Sequence, residues 1–144
     1  MEPLCLEVKR THPRGIIPTK AHPTDGGWDI YTPEVCEVPA WGSRLVSTRV
    51  SIAIPSGWVG MVRDRSSVAA RGLSVEAGII DAGYTGELKV LLRNNTDKIQ
   101  WFNEGERVAQ LLILPVPEVK MVEVKDFTEA TGDRGDGGFG SSGR

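Results

Sequence analysis

Apolar and polar residues alternate in short runs along most of the chain. Six segments carry this pattern: LCLEVKR (4–10), LVSTRVSIAI (45–54), GWVGMVR (57–63), GELKVLLRN (86–94), RVAQLLIL (107–114) and KMVEV (120–124). Period-two alternation rich in Val and Ile is typical of strands that bury one face. We therefore predict a strand in each segment.

Turn signals separate these segments. They are HPTDGG (22–27), VPAWG (38–42), IPSG (54–57), DAGYTG (81–86) and RNNTDK (93–98). The chain has 17 Gly and 9 Pro in 144 residues, a composition that favours strands joined by tight turns. Short strands at regular spacing predict an all-β sandwich or barrel in one domain.

Two segments depart from the strand pattern. SSVAARG (66–72) predicts the only clear helix, with a Ser cap, Ala-rich turns and a Gly at a left-handed stop. The tail from 132 to 144 has six Gly and one large apolar side chain, Phe139, so burial cannot offset its ordering entropy. We expect a β-barrel domain over 1–130 and a flexible arm over 131–144.

Charge and hydropathy exclude several functions. The formal net charge is -2 with both signs interspersed, which disfavours nucleic-acid binding. No apolar run approaches the roughly 20 residues that span a bilayer, and the N-terminus lacks the apolar core of a signal peptide. We expect a soluble intracellular, cytoplasmic protein. Cys5 and Cys36 are isolated and indicate neither a zinc site nor a disulfide framework.

Three arginines lie in separate segments flanked by Gly or Ser. Guanidinium groups of Arg65, Arg107 and Arg134 could grip phosphate oxygens in bidentate fashion. A single Arg of this kind is more often a surface residue or an ion-pair partner. Three that converge would suit a polyphosphate.

Five segments then resemble, in order, the five motifs of the trimeric dUTPase family. They are GGWDIYT, RDRSSVA, GIIDAGYTGEL, GERVAQL and RGDGGFGSSG, and the match spans residues 27 to 143. The third and fifth are the most diagnostic. The resemblance implies a jelly-roll-like β-barrel and a homotrimer whose active sites each use segments of three subunits. It also implies Mg²⁺-dependent hydrolysis of dUTP to dUMP and pyrophosphate by water attack on the α-phosphorus. This reaction limits uracil incorporation into DNA and supplies dUMP for thymidylate synthesis.

The resemblance also assigns roles. Asp81 would be the general base, and Tyr84 would pack beneath the sugar and reject UTP. The main chain of the hairpin over 75–81 would bind uracil, and Asp29 would reach Mg²⁺ through water. Arg107 would support the subunit interface. The implied substrate-binding set is Arg65, Ser66, Ser67, Ala77, Gly78, Ile79, Ile80, Asp81, Tyr84, Lys89, Gln110, Arg134, Phe139, Gly140, Ser141 and Ser142.

Within that set, Arg65, Ser66 and Ser67 would bind phosphates at a helix start, and Gln110 would bind the α-phosphate. In the tail, Phe139 would stack on uracil. Arg134, Ser141 and Ser142 would bind the γ-phosphate, and the arm would become an ordered lid.

One motif departs from the family pattern. Asp64-Arg65-Ser66-Ser67 stands where Pro-Arg-Ser-Gly is usual, and the Ser-Ser form also resembles dCTP deaminases. Leu91 stands where those enzymes carry an essential Glu, and Tyr84 where they usually carry Trp, which favours the dUTPase. A dCTP deaminase-like enzyme and a dUTP-sensing regulatory binding module remain the alternatives.

Overall fold

Ten strands and one short helix form the framework of the part of the chain that the structure describes. A computed structural model describes residues 2–128, 132–140 and 143. The strands are β1 (Glu7–Arg10), β2 (Trp28–Tyr31), β3 (Cys36–Val38), β4 (Ser43–Ala53), β5 (Trp58–Arg63), β6 (Leu73–Glu76), β7 (Ile79–Ile80), β8 (Glu87–Asn94), β9 (Gln100–Phe102) and β10 (Arg107–Pro115). The helix α1 (Ser66–Ala69) follows β5.

The strands form two four-stranded sheets and a two-stranded ribbon. The orders are β1-β4-β8-β6 and β2-β10-β5-β7, and β3 pairs with β9. The pairing is antiparallel throughout. The all-β prediction is confirmed, although the described strands form two sheets and not a closed barrel. No helix among the described residues is long and apolar enough to cross a membrane.

One hydrophobic core takes side chains from both sheets. The alternating residues of β8 illustrate how the core forms. Leu88, Val90 and Leu92 are buried, while Lys89 and Arg93 on the opposite face are exposed. The same cluster takes its largest side chain, Phe102, from the ribbon. Each fully buried aliphatic side chain contributes about 1.5–3 kcal/mol. Alternation in the sequence therefore sets which face of each strand is covered.

The predicted strands agree with the fold in five of six segments. The prediction over 120–124 is wrong, because these residues form no strand and Met121 is 91% exposed. Alternation indicates which face a strand would bury, but no described strand of this chain pairs with the segment. The predicted helix ends three residues early, and its N-cap is Arg65, without a side-chain cap. Gly72 does take the left-handed conformation (φ 88°).

Short strands were missed. The sequence pattern did not identify β2, β3, β6, β7 or β9, which contain two to four residues each. Runs this short hold too few residues to display a period.

A bulge in β4 is held by one carboxylate from β8. The register shifts between Ser47 and Ser51, and Arg49 takes a left-handed φ of 58°. The Glu87 carboxylate accepts hydrogen bonds from the Ser47 hydroxyl and from the Arg49 amide, the latter at 2.6 Å. A left-handed non-glycine residue costs about 1–3 kcal/mol and persists only where its surroundings hold it. Glu87 supplies that support.

We predict that Glu87→Ala lowers the free energy of unfolding by about 1–3 kcal/mol, because the part-buried Arg49 amide loses a charged acceptor. Urea denaturation measures the change. Glu76→Ala is the matched control: its carboxylate pairs with Arg93 at 3.5 Å and is 43% exposed. Such a pair contributes at most about 1 kcal/mol. Equal losses in the two variants would contradict the role assigned to Glu87.

Candidate functional site

Asp29 lies between two arginines at the edge of a sheet. It belongs to β2, opposite Gln110 of β10. Its Oδ1 is 3.3 Å from Nε of Arg65, and its Oδ2 is 3.2 Å from Nε of Arg107. The Asp29 side chain is 21% exposed, so both ion pairs are partly shielded from water. Asp29 therefore brings together two of the three arginines that the sequence singled out.

The Arg107 guanidinium also lies over the ring of Tyr31, 5.5 Å from its centroid. Interaction with Tyr31 and, less strongly, the charge of Asp29 raise the pKa of Arg107, which stays cationic. An open cleft is lined by Tyr31, Arg65, Ser67, Val68, Arg71, Gly105, Glu106 and Arg107. Three arginines against one glutamate give this cleft a net positive lining, which suits an anion.

Arg71 has a structural role in this cleft. Its guanidinium donates to the side chain of Gln100 and, at 3.0 Å, to the carbonyl of Trp101. It also lies 4.5 Å from the ring centroid of Phe102. Arg71 thus ties the end of α1 to strand β9, and its donors are directed at the protein.

The start of α1 offers polar groups to the cleft. Arg65 is the N-cap residue with extended backbone (φ -81°, ψ 142°), and Ser66 and Ser67 are exposed. Amide groups in the first turn of a helix have no intrahelical acceptor. Segment 65–67 therefore presents a guanidinium, two hydroxyls and main-chain N–H groups, all of which can bind phosphate oxygens.

Gln110 is oriented by its neighbours. Its Nε2 donates to the main-chain carbonyl of Asp64 at 2.8 Å. Gly27 faces the other end of the amide, where a Cβ would lie 2.1 Å from Oε1. Gly27 is required here because any larger residue would displace the Gln110 side chain.

The segment expected to form a hairpin over 75–81 is not a paired hairpin, because β6 and β7 belong to different sheets and a two-residue turn joins them. The name hairpin is kept for this strand–turn–strand segment. Ala77 and Gly78 both have positive φ, 60° and 99°. The Gly78 carbonyl accepts the Val62 amide at 2.7 Å, and a Cβ on Gly78 would lie 2.6 Å from the Val62 oxygen. Each of the two strands is the last in its sheet. Edge strands carry main-chain N–H and C=O groups that no neighbouring strand pairs, and these can recognise a ligand.

Asp81 and Tyr84 follow the hairpin directly. The exposed Asp81 accepts the Tyr84 amide on its carbonyl at 3.2 Å. The Tyr84 hydroxyl donates to the Glu87 carbonyl at 2.8 Å, and its ring lines a small apolar cavity with Ile80 and Leu88. One turn therefore holds both the exposed Asp81 and an anchored aromatic ring.

The predicted site residues nevertheless lie in separate parts of the chain. Ile80 is opposite Gly60 near the start of β5, whereas Arg65 follows the end of that strand. At about 3.3 Å per residue, Asp81 lies roughly 15 Å or more from Arg65 along the strand. Asp81 and Arg65 thus lie far apart within one chain, although the beginning of the hairpin is next to the Arg65 segment, where Asp64 accepts the Val75 amide at 2.6 Å.

The remaining predicted residues lie elsewhere. Lys89 is on the exposed face of β8, and Ile79 is exposed on β7. In the tail, Phe139 is fully exposed and Arg134 donates locally to the Gly137 carbonyl at 3.0 Å. Gly140 is exposed there as well. Ser141 and Ser142 lie outside the described residues.

Comparison with known proteins identifies the family. The sequence profile of the dUTPase family matches residues 14–143. The chain is 46% identical to a deoxyuridine 5'-triphosphate nucleotidohydrolase of Mycobacterium marinum, over 96% of this chain and 94% of that protein. It is 41% identical to one of Candida albicans, over 96% and 88%. The chain belongs to the dUTPase family.

Solved dUTPases share its fold. A Staphylococcus bacteriophage 80alpha dUTPase variant with dUpNHpp has a TM-score of 0.89 at 30% identity, over 97% of this chain and 99% of that one. A dUTPase variant from phage phi11 of S. aureus, described with a structural Mg(II) ion, has a TM-score of 0.81 at 27% identity, over 88% and 100%. The jelly-roll fold expected from the sequence is that of the dUTPases.

Two residues of the site were not assigned a role from the sequence. Gly27 makes room for Gln110, and Asp64 binds it through a main-chain carbonyl. The contact between Asp64 and Gln110 spans 46 positions, so no local spacing signals it. The doubled glycine before Trp28 was the only available hint.

We predict that Gly27→Ala lowers kcat/KM for dUTP by about 10- to 100-fold, because the new Cβ displaces Gln110 from its bond with Asp64. Pyrophosphate release measures the effect. Gly26→Ala is the control, since a Cβ there meets nothing within 4 Å and activity should stay near wild type. If both variants kept full activity, the placement of Gln110 by Gly27 would not matter for the reaction.

Proposed function

We propose that this chain hydrolyses dUTP to dUMP and pyrophosphate, with Asp81 as the general base for water attack on the α-phosphorus. One observation carries the proposal: the exposed Asp81 directly follows edge strand β7 and shares a turn with Tyr84, whose hydroxyl is held by the Glu87 carbonyl. The names of the relatives at 41% and 46% identity support the same activity. The carboxylate needs no covalent intermediate, because it only orients and deprotonates water.

The hairpin accounts for substrate selection. Main-chain groups around Ala77 and Gly78 would pair with the polar edge of uracil, as a neighbouring strand would. The Tyr84 ring would pack under the deoxyribose and leave no space for a 2'-hydroxyl. Its hydroxyl is held by the Glu87 carbonyl, so the ring cannot move aside freely. Phe139 of the glycine-rich tail would cover the base from the other side.

The cleft would bind the triphosphate of the substrate. Arg65, Ser66 and Ser67 would bind phosphate oxygens at the start of α1, and Gln110 would bind the α-phosphate. Fixed donors of this kind stabilise charge that develops in phosphoryl transfer. Arg134, Ser141 and Ser142 would supply further contacts to the γ-phosphate when the tail closes.

Magnesium would accompany the triphosphate. The described residues contain no group of three His, Cys, Asp or Glu side chains able to enclose a metal ion. Both oxygens of Asp29 face arginines, which leaves it suited to accept a hydrogen bond from a metal-bound water and unsuited to direct ligation. A magnesium ion held chiefly by phosphate oxygens fits this arrangement, and it would neutralise part of the triphosphate charge.

Assembly into a homotrimer would complete each active site. Within one chain, Asp81 and Arg65 lie near opposite ends of β5, roughly 15 Å or more apart. Asp81 of one subunit and the cleft of another would then serve one nucleotide. The segment after β10 supports association as well, since its apolar residues are exposed: Val116, Val119, Met121, Val122, Val124 and Phe127.

Asp81→Asn tests the reaction. We expect the variant to bind dUTP but to release pyrophosphate at least about 10³-fold more slowly, because the amide cannot accept the proton of the attacking water. Wild type should convert dUTP to dUMP in the presence of Mg²⁺ and leave dCTP, dTTP and UTP largely unchanged. Ammonia release from dCTP would indicate a deaminase. Tight dUTP binding by wild type without turnover would indicate a regulatory module.

Subunit complementation tests the shared site. Asp81→Asn and Arg65→Ala chains should each be inactive, but an equal mixture assembled together should recover about a quarter of wild-type activity, as random placement in a cyclic trimer gives. A mixture of Asp81→Asn with Asp81→Ala is the control and should stay inactive. A monomeric mass, or no recovery from a mixture proven to be trimeric, would contradict the arrangement.

A further inference from the structure

Asp64 belongs to the phosphate-binding segment, yet its carboxylate points to the base-binding hairpin. Its Oδ1 accepts the Val75 amide at 2.6 Å in a part-buried contact, across eleven positions of sequence. Val75 is the third of the four residues of β6, and only Glu76 separates it from the turn at Ala77 and Gly78. The carboxylate thus holds the hairpin strand through its main chain.

Strand β6 needs this support because it is the last strand of its sheet. On one side it pairs with β8, where Val75 is opposite Leu92. Asp64 provides an acceptor for a β6 amide where a further strand would otherwise be required. The other side-chain contacts of β6, from Ser74 to Glu76 and Asn95 and from Glu76 to Arg93, involve exposed or half-exposed groups.

Asp64 is itself fixed in position. Its carbonyl accepts Nε2 of Gln110 at 2.8 Å, and Gln110 is confined by Gly27. The residue follows β5, which is paired with β10 up to Arg63. A proline, usual at this position of the motif, has no side-chain acceptor, so the anchor depends on the aspartate of this chain.

We propose that Asp64 is a positioning residue for the nucleobase: it sets the β6–β7 hairpin so that the main-chain edge faces uracil. The proposal rests on the proposed function, because it concerns how that substrate is recognised. Asp64 therefore acts on base binding from within a segment whose other residues bind phosphate. Its loss weakens recognition of the uracil end and leaves the phosphate end intact.

Steady-state kinetics of the full chain with Mg²⁺ test this assignment, with deoxyuridine and pyrophosphate as separate competitive inhibitors. For Asp64→Ala we expect KM for dUTP and Ki for deoxyuridine to rise about tenfold, because one charge-assisted hydrogen bond that holds the hairpin is lost. The kcat and the Ki for pyrophosphate should stay within about twofold of wild type. Asp64→Asn keeps an oxygen that can accept the Val75 amide and should stay within about threefold of wild type.

Asp97→Ala is the matched control, because it removes an exposed carboxylate from the turn after β8 and should behave as wild type. Thermal unfolding shows whether each variant is folded. The assignment is overturned if Asp64→Ala matches wild type, if pyrophosphate inhibition weakens as much as deoxyuridine inhibition, or if folded Asp64→Asn is as impaired as Asp64→Ala. A wild-type chain that does not hydrolyse dUTP would instead refute the proposed function.

Discussion

Hydrogen bonding of β5 to strands on both of its sides is the interaction on which the site depends. Strand β10 pairs with it on one side and brings Gln110 next to Arg63, while β7 pairs with it on the other and carries the hairpin. Gly60 permits this packing, because a Cβ there would lie 2.4 Å from Ile54 and 3.1 Å from Ile80. A shift of one residue in either pairing would turn the site residues to the opposite face.

The same register limits which site residues of a single chain can lie close together. An extended strand separates its ends by a fixed distance per residue, so Asp81, beside the start of β5, and Arg65, beyond its end, are held apart within one chain. An extended arginine side chain is still shorter than this separation, so the Arg65 guanidinium does not reach Asp81. The geometry of one strand therefore favours an active site shared between subunits, as the family resemblance also implied.

The sequence predicted those features that depend on local pattern. Alternation identified the long strands because burial of one face leaves a period of two, and Gly72 marked a left-handed stop. It could not identify a partner: the segment 120–124 has the pattern of a strand but no strand of this chain beside it. The contacts of Asp64 with Val75 and Gln110 span 11 and 46 positions and follow only from the fold.

The resemblance supplied residue roles that the sequence pattern could not, but it gave no contacts between them. Asp29 illustrates the difference. It was expected near Mg²⁺, and the structure adds that its carboxylate faces both Arg65 and Arg107. That contact joins residues far apart in the sequence, and it depends on the pairing of β2 with β10.

These ion pairs hold the side chains of Arg65 and Arg107 in a fixed direction before an anion binds. A guanidinium has five N–H donors, more than the two oxygens of one carboxylate can accept from two arginines, and Nε of each arginine approaches Asp29. Donors would therefore remain for phosphate oxygens while the carboxylate fixes the direction of each side chain. Pre-orientation of this kind reduces the side-chain entropy lost on binding. In the proposed function, Asp29 would thus assist phosphate binding by holding its partners in place, independently of any contact with a metal-bound water.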